Sequence, residues 1–66
     1  MENRNQLRPL RAAAGMTQQE LAHEAGITVN YVSALERGLH IPRLSLARAI
    51  ARALDCDVDD IWPEAA

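Results

Sequence analysis

The sequence predicts an all-α fold of five short helices without strands, and three observations carry that expectation. Alanine-rich stretches are interleaved with Arg and Glu, all good helix formers, while β-branched runs are almost absent. Stop and start signals recur at short intervals, at Gly15, Gly26, Gly38 to Pro42 and Asp55 to Asp57. The apolar fraction is 48% and the charged fraction 24%, a globular balance, yet Phe is missing and Tyr31 and Trp62 are the only aromatics, so the core is built from Leu, Ile, Val and Ala. With 66 residues, the span 1–66 makes one small domain and leaves no room for a deep active-site cleft. A chain of this size buries only about 60% of its unfolded surface.

The first helix is expected from somewhere in residues 5 to 9 up to Ala14, with Leu7, Leu10 and Ala14 on one face and Gly15 as the left-handed stop. Pro9 suits a first turn and breaks an interior, so the helix either starts late, leaving residues 1–7 as an arm, or carries a distortion near Leu7. The second helix has a complete start: Thr17 and Glu20 stand at capping-box spacing, and Met16 and Leu21 sit where a hydrophobic staple would. The third repeats this logic with Thr28 as N-cap, Ile27 and Val32 as the staple and Gly38 as the stop. Only Ala25-Gly26-Ile27 joins them, so residues 17–37 form a helix-turn-helix unit.

The fourth helix runs from about Arg43 or Leu44 to Leu54, with Ser45, Arg48, Arg52 and Asp55 on one narrow polar stripe. Its apolar positions cover roughly 220° of the circumference, about twice what one core needs. The excess, centred on Leu46, Ala49, Ile50 and Ala53, predicts a second buried surface against a partner chain. A short last helix, Val58 to Trp62, starts at Asp57 and ends at Pro63. Trp62 either closes its own core or anchors a dimer interface together with Ile61 and Leu46.

The net charge of −2 hides an uneven distribution. Residues 1–54 carry seven arginines against four glutamates, a net +3, and residues 55–66 carry five acids and no base. A basic body can offer phosphates a positive face while the acidic end stays turned away. No apolar run approaches the 18 or so residues that span a membrane, and the polar N-terminus is unlike a signal peptide, so a soluble, cytoplasmic protein is expected.

On the third helix, Val32 and Leu35 lie inward, while Val29, Asn30, Ser33, Ala34 and Arg37 share the opposite face. Apart from Arg37 this face is small, as a helix lying in a major groove about 12 Å wide requires. A merely solvated face has the same pattern.

The stretches Gly15-Met16-Thr17-Gln18-Gln19-Glu20-Leu21-Ala22, Ala25-Gly26-Ile27-Thr28 and Tyr31-Val32-Ser33-Ala34-Leu35-Glu36-Arg37-Gly38 resemble the XRE-type helix-turn-helix family of phage repressors and Cro. Pro42-Arg43-Leu44-Ser45-Leu46-Ala47, Ile50-Ala51, Leu54 and Asp60-Ile61-Trp62 extend the likeness to a compact subgroup of very small bacterial regulators, over nearly the whole chain. The resemblance implies a five-helix lambda-repressor-like DNA-binding domain and a transcriptional regulator, a repressor, that binds double-stranded DNA as a homodimer on a palindromic operator. It implies base contacts at Val29, Asn30, Ser33 and Ala34, and phosphate contacts at Thr17, Gln18, Thr28, Tyr31, Arg37 and Arg43. Asn30 can pair bidentately with adenine, and Val29 and Ala34 can meet a thymine methyl. Val29 departs from the Arg or Gln common in the family at that place, and the loop Leu39-His40-Ile41 is less basic than usual. Arg11 and Glu36 fall where the family pairs an arginine of the first helix with a glutamate near the end of the third, a structural ion pair.

Other chemistries find no support. Asp55, Asp57 and Asp59 alternate as in a calcium loop, but the sixth position is Asp60 instead of Gly and the twelfth Ala66 instead of Glu. His23, His40 and the lone Cys56 lack zinc-ligand spacing and make no nucleophile-base pair, so neither cofactor nor enzymatic activity is expected. The rival function is a protein-interaction module, antitoxin-like or a co-regulator, with secondary DNA binding; the wide apolar face of the fourth helix and the acidic C-terminus suit it.

Overall fold

The computed structural model of the chain describes residues 4–63, and within them the backbone is all-helical: α1 (Leu7–Ala13), α2 (Gln18–Ala25), α3 (Val29–Glu36), α4 (Leu44–Ala53) and α5 (Val58–Ile61). Helix α2 packs against both α3 and α4, α4 against α5, and α1 against α3. The floor of the core is formed by Leu7, Leu21, Val32, Leu35, Ile50 and Ile61, one or two from every helix, all fully buried. Trp62 closes it just beyond α5.

The question raised by Pro9 is settled by where α1 begins. Leu7 is its first residue, so Pro9 stands third, where the missing N–H is one that no helix uses. The side chain of Asn5 starts the helix, its Oδ1 accepting the Leu7 N–H at 3.1 Å. Residues 4–6 are not a free arm: the Gln6 N–H donates to the Ile61 carbonyl at 2.8 Å, fastening the start of α1 to α5. Residues 1–3 of the expected arm lie outside the described residues.

Both turns of the central unit close as their residues dictate. Thr17 Oγ1 accepts the Glu20 N–H at 3.0 Å while Glu20 Oε1 accepts the Thr17 N–H at 2.8 Å, the full capping box. Gly26 ends α2 with φ +72°, and Thr28 Oγ1 receives the Tyr31 N–H at 3.1 Å to begin α3. A Cβ at Gly26 would meet nothing within 4 Å, so conformation rather than space selects glycine there.

Much of the wide apolar face of α4 packs inside the chain, although Leu44 at its start is 56% exposed. As the central helix it buries Ala47, Ile50 and Ala51 and packs on α2 along one side and α5 along the other. The expectation that its excess apolar surface meets a partner is corrected at Ile50, and for the partner contacts expected of Ile61 and Trp62, while Leu46, Ala49 and Ala53 keep part of their surface. Ile50 is completely buried, Leu46, Ala49 and Ala53 are half-buried, and Ile61 and Trp62, with Trp62 only 2% exposed, lie in the chain's own core. None of Ile50, Ile61 and Trp62 has surface left to offer a second chain.

Candidate nucleic-acid interface

Helix α3 presents Val29, 40% exposed, and Asn30 at the surface and Ser33 partly, at the end of the helix that begins with the Thr28 cap. Ala34, placed with them by sequence, is only 9% exposed. At about 100° per residue it lies roughly 40° beyond Asn30, on the flank of the outward arc. The chain folds back after α3, the Leu39 N–H donating to the Ala34 carbonyl at 3.0 Å. A surface of Val29, Asn30 and Ser33 remains, narrower by one residue than the sequence suggests.

Around it stand the groups suited to phosphate. Thr17 is exposed at the start of α2, where the free N–H groups of the first turn and the helix dipole favour an anion. Arg37 and Arg43 are exposed, and among the described residues neither has an acidic partner. The Arg37 Nε–H leans on the Ser33 carbonyl at 3.4 Å, which keeps the guanidinium on the α3 side of the surface. Tyr31 is half-buried, its ring tilted by 37° against that of His40 with centroids 5.6 Å apart. Gln18 differs: its Nε2 donates to Glu36 Oε1 at 2.9 Å, so one of its two amide hydrogens is committed inside the fold.

That bond belongs to a cluster holding α3 in place. Arg11 of α1 donates from Nε to Glu36 Oε2 at 2.5 Å and from Nη1 to the Met16 carbonyl at 2.7 Å. Glu36 is the more enclosed partner, its side chain 5% exposed against 14% for Arg11. One carboxylate thus ties α1, the start of α2 and the end of α3 together.

Asn5 adds a clamp that sequence reasoning missed. Its Nδ2 donates to the Leu35 carbonyl at 2.9 Å, linking the entry of α1 to the last turn of α3 across thirty positions of sequence. A polar residue two places before a helix signals a start but not its distant acceptor.

At the opposite end, Cys56 is partly enclosed after α4, and burial first, then Asp60, Asp57 and Asp55, push its thiol up from the ordinary value. A raised thiol is a poor nucleophile at neutral pH. Among the described residues no three His, Cys, Asp or Glu side chains converge as a metal site, and no helix is long and apolar enough to cross a membrane.

The helix-turn-helix family model matches residues 7–61, from the first residue of α1 to the last of α5. An uncharacterized HTH-type transcriptional regulator of Methanothermobacter thermautotrophicus is 43% identical over 60 residues, covering 89% of this chain and 87% of that protein. Among solved structures, the clp gene regulator ClgR of Corynebacterium glutamicum superposes with a TM-score of 0.77 at 37% identity, over 82% of this chain and 57% of that one. The restriction-modification controller protein C.AhdI of Aeromonas hydrophila gives 0.76 at 37% identity, over 82% of both chains. The capped pair α2 and α3, the small exposed face of α3 and these likenesses converge: the chain belongs to the XRE-type helix-turn-helix family of DNA-binding transcriptional regulators.

Proposed function

We propose that this protein is a repressor that reads double-stranded DNA with α3 in the major groove, binding as a homodimer to a palindromic operator. The observation that carries the reading is the exposed, short-chained face of Val29, Asn30 and Ser33 flanked by Arg37, Arg43 and the start of α2. Backbone must approach base edges closely, and only small side chains permit it. Asn30 supplies a donor and an acceptor for adenine, and Val29 an apolar contact for a thymine methyl.

Thr17, Thr28, Tyr31, Arg37 and Arg43 fix the docking through phosphates, with the remaining amide hydrogen of Gln18 beside them. Arg11 and Glu36 act through α3 by holding its angle. A two-fold dimer sets half-sites about 34 Å apart, one turn of DNA. Steric occupation of a promoter is sufficient for repression, and such a protein works in the cytoplasm, where the DNA is.

Hydroxyl-radical footprinting on a bound duplex tests this. Protection on one face of the DNA, in two windows centred one turn apart, is expected. A single window of protection contradicts the dimer, and protection without any preferred position contradicts the operator.

A further inference from the structure

Between Arg37 and Arg43 run five residues, Gly38 to Pro42, of which only His40 ionises. The backbone on both sides of it is fixed. Gly38 turns the chain with φ +77°, its N–H donating to the Leu35 carbonyl at 3.0 Å, and the Leu39 N–H reaches the Ala34 carbonyl at 3.0 Å. Pro42 is buried where the loop enters α4, and His40 stands exposed between these anchors. Its ring lies against that of Tyr31 on α3, the centroids 5.6 Å apart and the planes tilted by 37°. His40 is therefore a loop side chain with a defined position beside the reading helix.

The charges on the elements around this ring are unevenly shared. Arg37 follows α3 and Arg43 precedes α4, both exposed. Glu36, the one acid of α3, is turned to Arg11 and Gln18. Helix α4 has no acidic residue, and α5, whose Val58 lines a groove with Ile41 and Pro42, is preceded by Asp57 and carries Asp59 and Asp60. Asp57 and Asp60 are engaged in capping α5. The Tyr31 ring adds a surface that a cation favours, since an aromatic face within about 6 Å attracts positive charge. A proton on His40 makes the 37–43 stretch a run of three cations, and its loss returns the stretch to two.

Building on the docking of α3 against DNA, we propose that His40 is a phosphate contact switched by its own protonation, so that the protein binds DNA more tightly as pH falls through the imidazole range. Histidine is the side chain whose charge changes near neutrality, ordinarily at about 6.5. When charged, both ring nitrogens carry hydrogens, and a charge-assisted bond to a phosphate oxygen becomes available. A phosphate beside the ring favours its charged form, so the bound state holds the proton more firmly than the free protein does. The added affinity is then full below the ordinary imidazole value and fades as pH rises past the bound-state value. Arg37 and Arg43 keep their charge throughout, so binding weakens at alkaline pH without vanishing. The face of Val29, Asn30 and Ser33 holds no titrating group, so the switch sets strength and leaves the reading of bases alone.

Fluorescence anisotropy of the full chain on a short mixed-sequence duplex, at constant ionic strength from about pH 5.5 to about pH 8, tests the proposal without an operator in hand, because phosphate contacts carry no sequence information. The wild type is expected to bind roughly tenfold more tightly at the acidic end, and its slope of log affinity against log salt to steepen there by about one per bound chain. His40→Gln should match the alkaline affinity of the wild type and stay at that level throughout, with its helical circular dichroism unchanged. His40→Lys should hold the tighter binding at both ends of the range, which a purely structural role for the ring on Tyr31 does not predict. His23→Gln, at an exposed position of α2, should respond to pH as the wild type does. A flat wild type, or a pH response equal in the wild type and His40→Gln, would overturn the proposal while leaving the docking of α3 intact. Absence of binding at every pH would overturn both.

Discussion

Arg11 and Glu36 face each other across the seam between α1 and α3, Nε to Oε2 at 2.5 Å, with the carboxylate almost completely enclosed. Glu36 also accepts from Gln18, and Arg11 also reaches the Met16 carbonyl, so every helix of the reading unit is tied to one ion pair. Removing either partner strands the other charge in a largely enclosed site. Glu36→Ala and Arg11→Ala should each destabilise the fold by about 3–5 kcal/mol. Urea unfolding measures this, and the double variant should lose less than the sum of the two, because each single variant already forfeits the pair.

Asn30 and Arg37 divide specificity from affinity. Asn30→Ala should cost roughly 1–3 kcal/mol on the operator and little on random DNA, relaxing preference at one base pair. Arg37→Ala should weaken binding to all sequences and flatten the slope of log affinity against log salt by about one. Anisotropy titrations of operator and scrambled duplexes over a salt series separate the two. Equal losses on both duplexes for Asn30→Ala would remove that residue from base reading.

Asp55 follows α4 with φ +55°, a left-handed position held by a residue other than glycine. Its carboxylate also stands at the negative end of the helix dipole. Asp55→Gly relieves both penalties and should raise stability by about 1 kcal/mol, read as a higher urea midpoint at unchanged slope. An unchanged or lower midpoint would mean that the carboxylate has a compensating contact.

Cys56 gives the fold an alkaline limit. Its thiol is raised above the ordinary value by burial and by the neighbouring aspartates, so the native state favours the protonated form more than the unfolded chain does. The resulting stability is fully present below the ordinary thiol range and is lost as pH rises through the native value. The stability difference between the wild type and Cys56→Ala should therefore shrink as pH climbs above about 9, and iodoacetamide should label native protein more slowly than unfolded protein at pH 8. Equal labelling rates would contradict the raised thiol.

Local signals made the helices legible before any packing was known. Thr17 with Glu20, Thr28, Gly15, Gly26 and Gly38 act within four residues of themselves, and each takes the conformation its chemistry prescribes. Periodicity also puts Val29 and Asn30 outside and Val32 and Leu35 inside. What failed depended on long-range geometry. Ala34 sits on the edge of its arc, and the packed fold leaves it only 9% exposed. The breadth of apolar surface on α4 is ambiguous in sequence, because a helix packed between two neighbours and a helix with an external partner show the same pattern. Trp62 took the first of its two expected places and closes the core with Ile61, and the exposed Leu39 and Ile41 turned up in the loop before α4, where no periodicity exists to flag them. Asn5 joins α1 to Leu35, a contact that only the tertiary fold creates.

Selection of bound duplexes from a random DNA pool with purified protein, at two salt concentrations, tests the central claim most directly. The predicted result is enrichment of a palindrome with half-site centres about 10 base pairs apart, retained at the higher salt. Binding that is uniform across sequences and disappears with salt would contradict it, leaving the helix-turn-helix fold without an operator to read.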